Sequence, residues 1–388
     1  MKRKRVLFLA SWYPSKNNET LGNFVQRHAE AINEKVELTV LYVTSSASVS
    51  EVEIECEKIN NVDTVIAYYP KINSNIPLYT ALEKYKMYLK VSEKVFFTLN
   101  KSFDIVHLNV AYPAGLFALW LKKYHKLPYV ITSHSSIYLD SKNEFQKLNW
   151  LTKWQHKKIF KEASAVSVVS KQLGESLKKL NLTSEYTVIP NVVDPTVFFK
   201  GEQVENDVTR FIHISTFDDE NKNVTGIIKA FRLLQDNDFQ FLLHIITEGD
   251  VQVVHNYMEK FGLVKTNYKV ESKLKPNEVA DAIRKADCMV LFSNYETFSI
   301  VLAESWACGT PAIYAKCGGL TEIKNPKIGI QINKKDENEL FNSLKKVIRK
   351  EIDFDTDEIL DQSEAFSPHS VSKSFVDLYD NVLKNSFS

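Results

Sequence analysis

Short apolar runs alternate along this chain with stretches of helical spacing. In the first half, Arg5 to Ala10, Val36 to Val43, Val62 to Tyr69, Phe103 to Asn109, Tyr129 to His134 and Ala165 to Val169 read as buried strands. Between them, Val25 to Asn33, residues 78–101, a segment opening at Pro113-Ala114-Gly115, and residues 143–163 read as helices. The Ser- and Glu-rich stretch between Val43 and Val62 reads as a polar loop. The second half repeats the rhythm. Strands are expected at Arg210 to Ser215, Phe239 to Ile246, Asn267 to Val270, Cys288 to Phe292, Ala312 to Ala315 and Ile328 to Ile332. Helices are expected at Val224 to Leu234, Pro276 to Lys285, from Ser299 onward, at Glu337 to Arg349 and at Ser367 to Leu383. Strands alternating with helices predict an α/β protein with parallel sheets. There is no internal sequence repeat and no G-x-G-x-x-G fingerprint of a dinucleotide site.

Length changes the picture first. A single core rarely grows beyond about 250–300 residues, so 388 residues predict two domains. No apolar run approaches the roughly 20 residues that cross a bilayer. The N-terminus, MKRKRVLFLASWYP, lacks the apolar core and cleavage site of a signal peptide and reads as a first strand. Cys56, Cys288, Cys308 and Cys317 have no metal-ligand spacing, and reduced thiols of a cytoplasmic protein are the expectation. The net charge of +1 hides an asymmetry. Residues 1–195 hold 26 Lys and Arg against 18 Asp and Glu, and the remainder holds 23 against 30. A basic first half suits an anionic acceptor or membrane surface, or is merely solvated lysine. The segment 143–163, with Trp150, Trp154 and several lysines, either lies on a membrane or packs its aromatics inward as an ordinary surface helix. The second is the expectation.

Candidate chemistry concentrates in residues 288–322, CMVLFSNYETFSIVLAESWACGTPAIYAKCGGLTE. A strand is followed by a polar loop, then a helix that Gly309 and Pro311 stop, a second strand, and the Gly318-Gly319 loop. A helix that starts directly after a strand points free N–H groups out of the sheet's carboxyl edge, an anion site suited to a diphosphate. Glu304, eight positions after Glu296, can accept from the vicinal hydroxyls of a ribose, and Glu296 from a second polyol. His134 ends a strand at the edge where ligands of open α/β sheets collect.

The run E-T-F-S-I-V-L-A-E-S-W-A-C-G-T-P-A-I resembles the E-x7-E signature of retaining glycosyltransferases of family 4, which have the GT-B fold. Their usual form is roughly E-x-F-G-x-x-x-x-E-A-M-A-x-G-x-P-V-I with a following G-G-x-x-E loop, matched here by Gly318, Gly319 and Glu322. Ser299 stands where glycine is usual, and Ser305-Trp306 where Ala-Met is usual. The resemblance covers nearly the whole chain. It implies two Rossmann-like domains facing across a cleft: residues 1–195 for the acceptor, residues 196–366 for the donor, and a C-terminal helix, 367–388, that crosses back to the first domain. The segment P-N-V-V-D, residues 190–194, is similar to the family's P-N-G-V-D junction, with Val192 in place of glycine.

By the same resemblance Gly22, with Asn23 beside it, lets the first loop approach the donor diphosphate. Lys222 neutralises it, but Thr216 stands where an arginine is expected. Glu296 holds the sugar hydroxyls, backbone amides near Phe298, Ser299 and Ile300 meet sugar or phosphate oxygens, Glu304 holds the ribose, and His134 faces the transferred sugar. His107 is expected to be structural. The implied reaction is transfer from a nucleotide-sugar, with uridine the expected base, to a glycan or lipid-linked acceptor in bacterial surface polysaccharide synthesis. It would proceed without metal or cofactor, in the cytoplasm, either free or peripheral to the inner face of the membrane, with no nucleic acid partner. Asp218-Asp219-Glu220 reads as a solvated turn and not as a metal site. Two alternatives stay open: an inactive relative that binds a glycan or a partner, favoured by Thr216 and Ser299, and an epimerase or phosphorylase on the same fold.

Overall fold

The computed structural model describes residues 3–73, 77–140, 142–202 and 207–386. The chain forms two compact units, one of residues 1–192 with 368–388 and one of residues 193–367.

The first unit is built on eight strands: β1 (Arg5–Ala10), β2 (Glu37–Ser46), β3 (Glu53–Ile59), β4 (Val62–Pro70), β5 (Ile105–Asn109), β6 (Tyr129–Ser133), β7 (Ala165–Val168) and β8 (Thr187–Val188). Their order is β3-β4-β2-β1-β5-β6-β7-β8, parallel except for β3, which runs antiparallel to β4. Helices α1 (Asn23–Asn33), α2 (Pro77–Thr98), α3 (Ala114–His125), α4 (Glu144–Lys147), α5 (Trp150–Glu162) and α6 (Lys171–Lys179) connect them. Strands β5 and β6 are buried from end to end and β1 from Val6 onward, as a parallel sheet covered on both faces requires.

Two sequence expectations are corrected here. The polar loop between Val43 and Val62 contains β3, an edge strand with no fully buried residue, so no apolar run marks it. Its signal is the alternation Glu53, Glu55, Glu57, polar residues at period two. The single helix expected over 143–163 is two, because Asn149 breaks it and caps α5, its Oδ1 accepting from Thr152 N at 2.9 Å.

The second unit has β9 (Thr209–Ser215), β10 (Phe241–Thr247), β11 (Tyr268–Ser272), β12 (Cys288–Leu291), β13 (Ala312–Ala315) and β14 (Gly329–Ile332). All pair in parallel, in the order β11-β10-β9-β12-β13-β14. Counted within the unit this is 3-2-1-4-5-6, the doubly wound order whose reversal leaves a crevice at the carboxyl ends of β9 and β12. Its helices are α7 (Asp219–Lys222), α8 (Val224–Asp236), α9 (Val251–Lys260), α10 (Pro276–Arg284), α11 (Ile300–Ala307), α12 (Glu337–Ile348) and α13 (Thr356–Glu364).

The last helix, α14 (Pro368–Ser386), belongs to the first unit. Val371, Phe375, Leu378, Tyr379 and Val382 join the core formed by α1 and the central strands. Val192 lies in that core without a left-handed backbone, so the valine in the junction segment carries no strain.

Candidate functional site

In the second unit two loops meet at the β9/β12 crevice. The first carries α7. Asp218 caps it, accepting from Glu220 N, and Asp219 accepts from Thr225 N at 2.7 Å and from Thr225 Oγ1 at 2.9 Å. The acidic run is therefore a pair of helix caps and not a solvated turn. Asn223 then reverses the chain in the left-handed region and leaves Lys222 at the end of α7. The second loop, after β12, is fastened to the first. Asn294 N and Tyr295 N donate to Asn221 O at 2.8 and 3.3 Å, and the Asn294 amide donates to Glu220 O at 2.9 Å.

This clamp brings Lys222 and Glu296 together. Lys222 Nζ lies 2.6 Å from Glu296 Oε1, which also accepts from Ser293 Oγ at 2.9 Å. The Glu296 side chain is 8% exposed and that of Lys222 22%. The Lys222 charge faces the buried His213, whose imidazole burial pushes down to about 4, with Lys222 adding to the effect. Gly318 lies against the backbone of Glu296. A Cβ there would stand 1.5 Å from the Glu296 carbonyl oxygen, and its φ is +55°, so the Gly-Gly loop is what lets the chain pass behind Glu296.

Helix α11 starts at Ser299, whose φ of 69° and ψ of 80° are those a glycine adopts without strain. Ser299 makes no side-chain cap, and its Oγ is buried without a partner. The first N–H groups of α11 therefore lack a capping side chain. Phe298 packs edge-on against Phe366, and Ile300 joins the same core, both side chains being partly buried. Glu304, a turn into the helix, is 6% exposed. Ser305 and Trp306, the two departures from Ala-Met, are structural. Ser305 Oγ donates to Thr310 O, and Trp306 donates to Ile328 O and stacks on Phe366. Thr216 is exposed in the loop after β9.

In the first unit, Gly22 precedes α1 with φ +79°, and a Cβ would meet the Trp12 carbonyl at 2.6 Å. Asn23, the first residue of α1, is exposed. His134 is buried just beyond β6, its Nε2 3.4 Å from Asn109 Oδ1 at the end of β5. Two further histidines surround it. His28 lies against it with the rings tilted at 46° and their centroids 5.3 Å apart, and donates from Nε2 to Pro190 O at 3.1 Å. His107 is held between Tyr379 Oη and Thr132 Oγ1, each at 2.6 Å. Burial holds all three imidazoles neutral: His28 is pushed down to about 4, and His107 and His134 well below the usual value. His28 Nδ1 and Asn109 Nδ2 are buried without a partner, and the Asn191 side chain lies against His134, opposing in part the effect of burial on its imidazole. His28, Asn109 and Asn191 did not stand out as candidates in the sequence. The available signal was His28 at a core position of α1, on the stripe of Val25, Ala29 and Ile32.

Among the described residues, no group of three or more His, Cys, Asp and Glu side chains could hold a metal ion.

Comparison with known proteins bears on the family and the fold. Residues 196–363 match the family model described as glycosyl transferases group 1, and residues 21–197 match that of glycosyltransferase family 4. An uncharacterized glycosyltransferase of Methanocaldococcus jannaschii is 25% identical over 89% of both chains. A putative teichuronic acid biosynthesis glycosyltransferase of Bacillus subtilis is 22% identical over 82% of both. Among solved structures, sucrose-phosphate synthase of Thermosynechococcus elongatus superposes with a TM-score of 0.76 at 16% identity, covering 99% of this chain and all of that one. An Anabaena protein in complex with UDP and glucose gives 0.68 at 12%, covering 97% and 100%. At those identities the likeness is one of fold. Two family models in tandem across two doubly wound units make this chain a glycosyltransferase of family 4 with the GT-B fold.

Proposed function

We propose that this glycosyltransferase moves a hexosyl group, with retention at the anomeric carbon, from a uridine diphosphate sugar to a glycan or lipid-linked acceptor in surface polysaccharide synthesis. The observation that carries the donor reading is the pairing of half-buried Lys222 with buried Glu296 beside the uncapped start of α11, with Glu304 buried one turn inside it. A diphosphate replaces the carboxylate as the partner of Lys222. The first N–H groups of α11 then take phosphate oxygens, and Glu304 accepts from the ribose hydroxyls. Glu296, released from Lys222, accepts from hydroxyls of the sugar, and His134, in its neutral form, is a further contact of that sugar. The acceptor oxygen attacks the anomeric carbon on the face that the phosphate leaves. Its proton passes to the departing phosphate oxygen, and the negative charge developing there is met by Lys222 and the α11 amides. These groups supply the electrostatic stabilisation, and the reaction is proposed to need no metal or cofactor. The uridine and the surface polysaccharide are supported by the Anabaena complex with UDP and glucose and by the teichuronic acid relative.

A thermal-shift and hydrolysis screen against UDP-, GDP-, ADP- and TDP-sugars without metal tests this reading. A donor at 100 times its Kd stabilises by about 2.7 kcal/mol, a shift of several degrees. UDP-sugars shifting the transition and slowly releasing UDP is the expected result, with Glu304→Ala weakening that binding by tens-fold. A second reading, an inactive glycan-binding relative, draws on exposed Thr216 where the family has arginine. Silence with every donor, with and without Mg²⁺, would favour it.

A further inference from the structure

Helix α5 presents two faces of opposite character. His156, Ile159 and Phe160 are buried against the first unit, and His156 Nδ1 is 2.7 Å from Tyr138 Oη. The outward face carries Trp150, 78% exposed, Leu151, and Trp154, 53% exposed, at its N-terminal end. Lys157, Lys158 and Lys161, all exposed, continue the same face toward the C-terminus. Trp150, Trp154, Lys157 and Lys161 fall at the i, i+4, i+7 and i+11 spacing of one stripe. The ordinary expectation, aromatics turned inward, is met by Phe160 but not by the two tryptophans.

Two exposed indoles on one turn cost solubility and make no contribution to the fold's own core, so the face asks for a partner. The lysines choose which one. A groove of about 850 Å³ runs beside the C-terminal half of α5, with Lys157, Lys161 and Lys178 in its wall and Glu185 as its acidic member. Of these lysines, Lys178 is drawn toward Glu175 at 3.7 Å and lies over the Tyr186 ring. Lys158 sits over the Trp154 ring at 5.1 Å, joining the charged and aromatic parts of the face. Tryptophan side chains seat at the boundary between headgroups and acyl chains, and lysines beside them meet anionic phosphates.

We infer that α5 is an interfacial helix that docks this unit on an anionic lipid bilayer, with Trp150, Leu151 and Trp154 entering the headgroup boundary and Lys157, Lys158 and Lys161 facing lipid phosphates. The attachment is peripheral, since no helix among the described residues is long and apolar enough to cross a membrane. It places a lipid-linked acceptor within reach of the enzyme in two dimensions instead of three.

Flotation of the full chain with phosphatidylcholine vesicles, with and without phosphatidylglycerol, tests the surface and needs neither donor nor acceptor. Failure here would leave the transferase reading standing. Binding to the anionic vesicles, weakened by salt and accompanied by a blue shift of tryptophan emission, is expected. Lys157→Gln/Lys158→Gln/Lys161→Gln lowers partitioning about 100-fold, and Trp150→Ser/Trp154→Ser by roughly tenfold or more, with melting temperatures unchanged because the positions are exposed. Absence of flotation, equal binding to neutral vesicles, or wild-type partitioning by both variants overturns the proposal. So does a concentration-dependent dimer that buries the two tryptophans without lipid.

Discussion

At the scale of single residues, the site's least comfortable member is Ser299. It stands in a left-handed conformation, with its hydroxyl buried and unpartnered. The backbone costs a non-glycine residue roughly 1 kcal/mol or more, and an orphaned buried hydroxyl about as much again. Glycine would remove both at an unfolded-state penalty of about 0.5–1 kcal/mol. Ser299→Gly should therefore raise the melting temperature of the second unit by about 2–4 °C. If the hydroxyl is kept for the donor, the same variant binds it several-fold more weakly. Thermal shift with and without UDP-sugar reads both effects, and a fall in unliganded stability would contradict this account. The sequence shows Ser299 only as a departure from a glycine. The structure adds that the glycine's conformation is retained. Glu296, Glu304 and Lys222 were legible because motif spacing fixes them. That Lys222 and Glu296 are already paired was not, because the pairing depends on the Asn221–Asn294 clamp between loops about 70 residues apart.

At the scale of elements, strands and helices with an apolar stripe were legible, and those held by end chemistry were not. The helices α9 and α13 each start at a capping side chain, Asp250 and Asp355, and pack few residues inward, Val254 and Met258 in the one and Ile359 in the other. Periodicity carries little signal there, and the caps carry it instead. The return of α14 to the first unit was expected by resemblance, but its chemical tie was not. Tyr379 Oη bonds His107 Nδ1 across 272 residues, inside a core where Phe375 lies 4.8 Å from the same imidazole and 5.1 Å from His28. Tyr379→Phe keeps the packing and strands a buried ring nitrogen. It should cost the first unit about 1–3 kcal/mol and lower its melting temperature by several degrees. Unchanged stability in a calorimetric scan would mean that the His107 contact contributes nothing net.

At the scale of the molecule, the two units differ in how they meet acid. The first buries His28, His107, His134 and His156 in neutral form, with His28 and His156 pushed down to about 4 and the other two well below the usual value. In the second, His213 is likewise pushed to about 4, while His244 is lowered by burial but opposed by Glu271, 2.6 Å away. The sign follows from which state binds protons. Each histidine of the unfolded chain takes up a proton near pH 6.5, and the folded unit refuses it until about pH 4 at His28 and His156, and to well below the usual range at His107 and His134. In that window the unfolded state holds more protons, so stability rises with pH and is lost as pH falls. One such group loses about 2 kcal/mol between pH 7 and pH 5, of order 1.4 kcal/mol per pH unit below its unfolded value. The first unit carries this liability at four positions, three of them in mutual ring contact or within one core, where a first charge makes the next harder to place. Acid should thus open the first unit while the second remains folded. Hydrogen exchange at pH 7 and pH 5 reads the difference by segment. Amides of β1, β5, β6 and α14 should lose protection by two or more orders of magnitude beyond the chemical rate change, while those of β9 and β12 lose less. Equal loss in both units would show that the His28–His107–His134 cluster is hydrated enough to accept protons in the folded state.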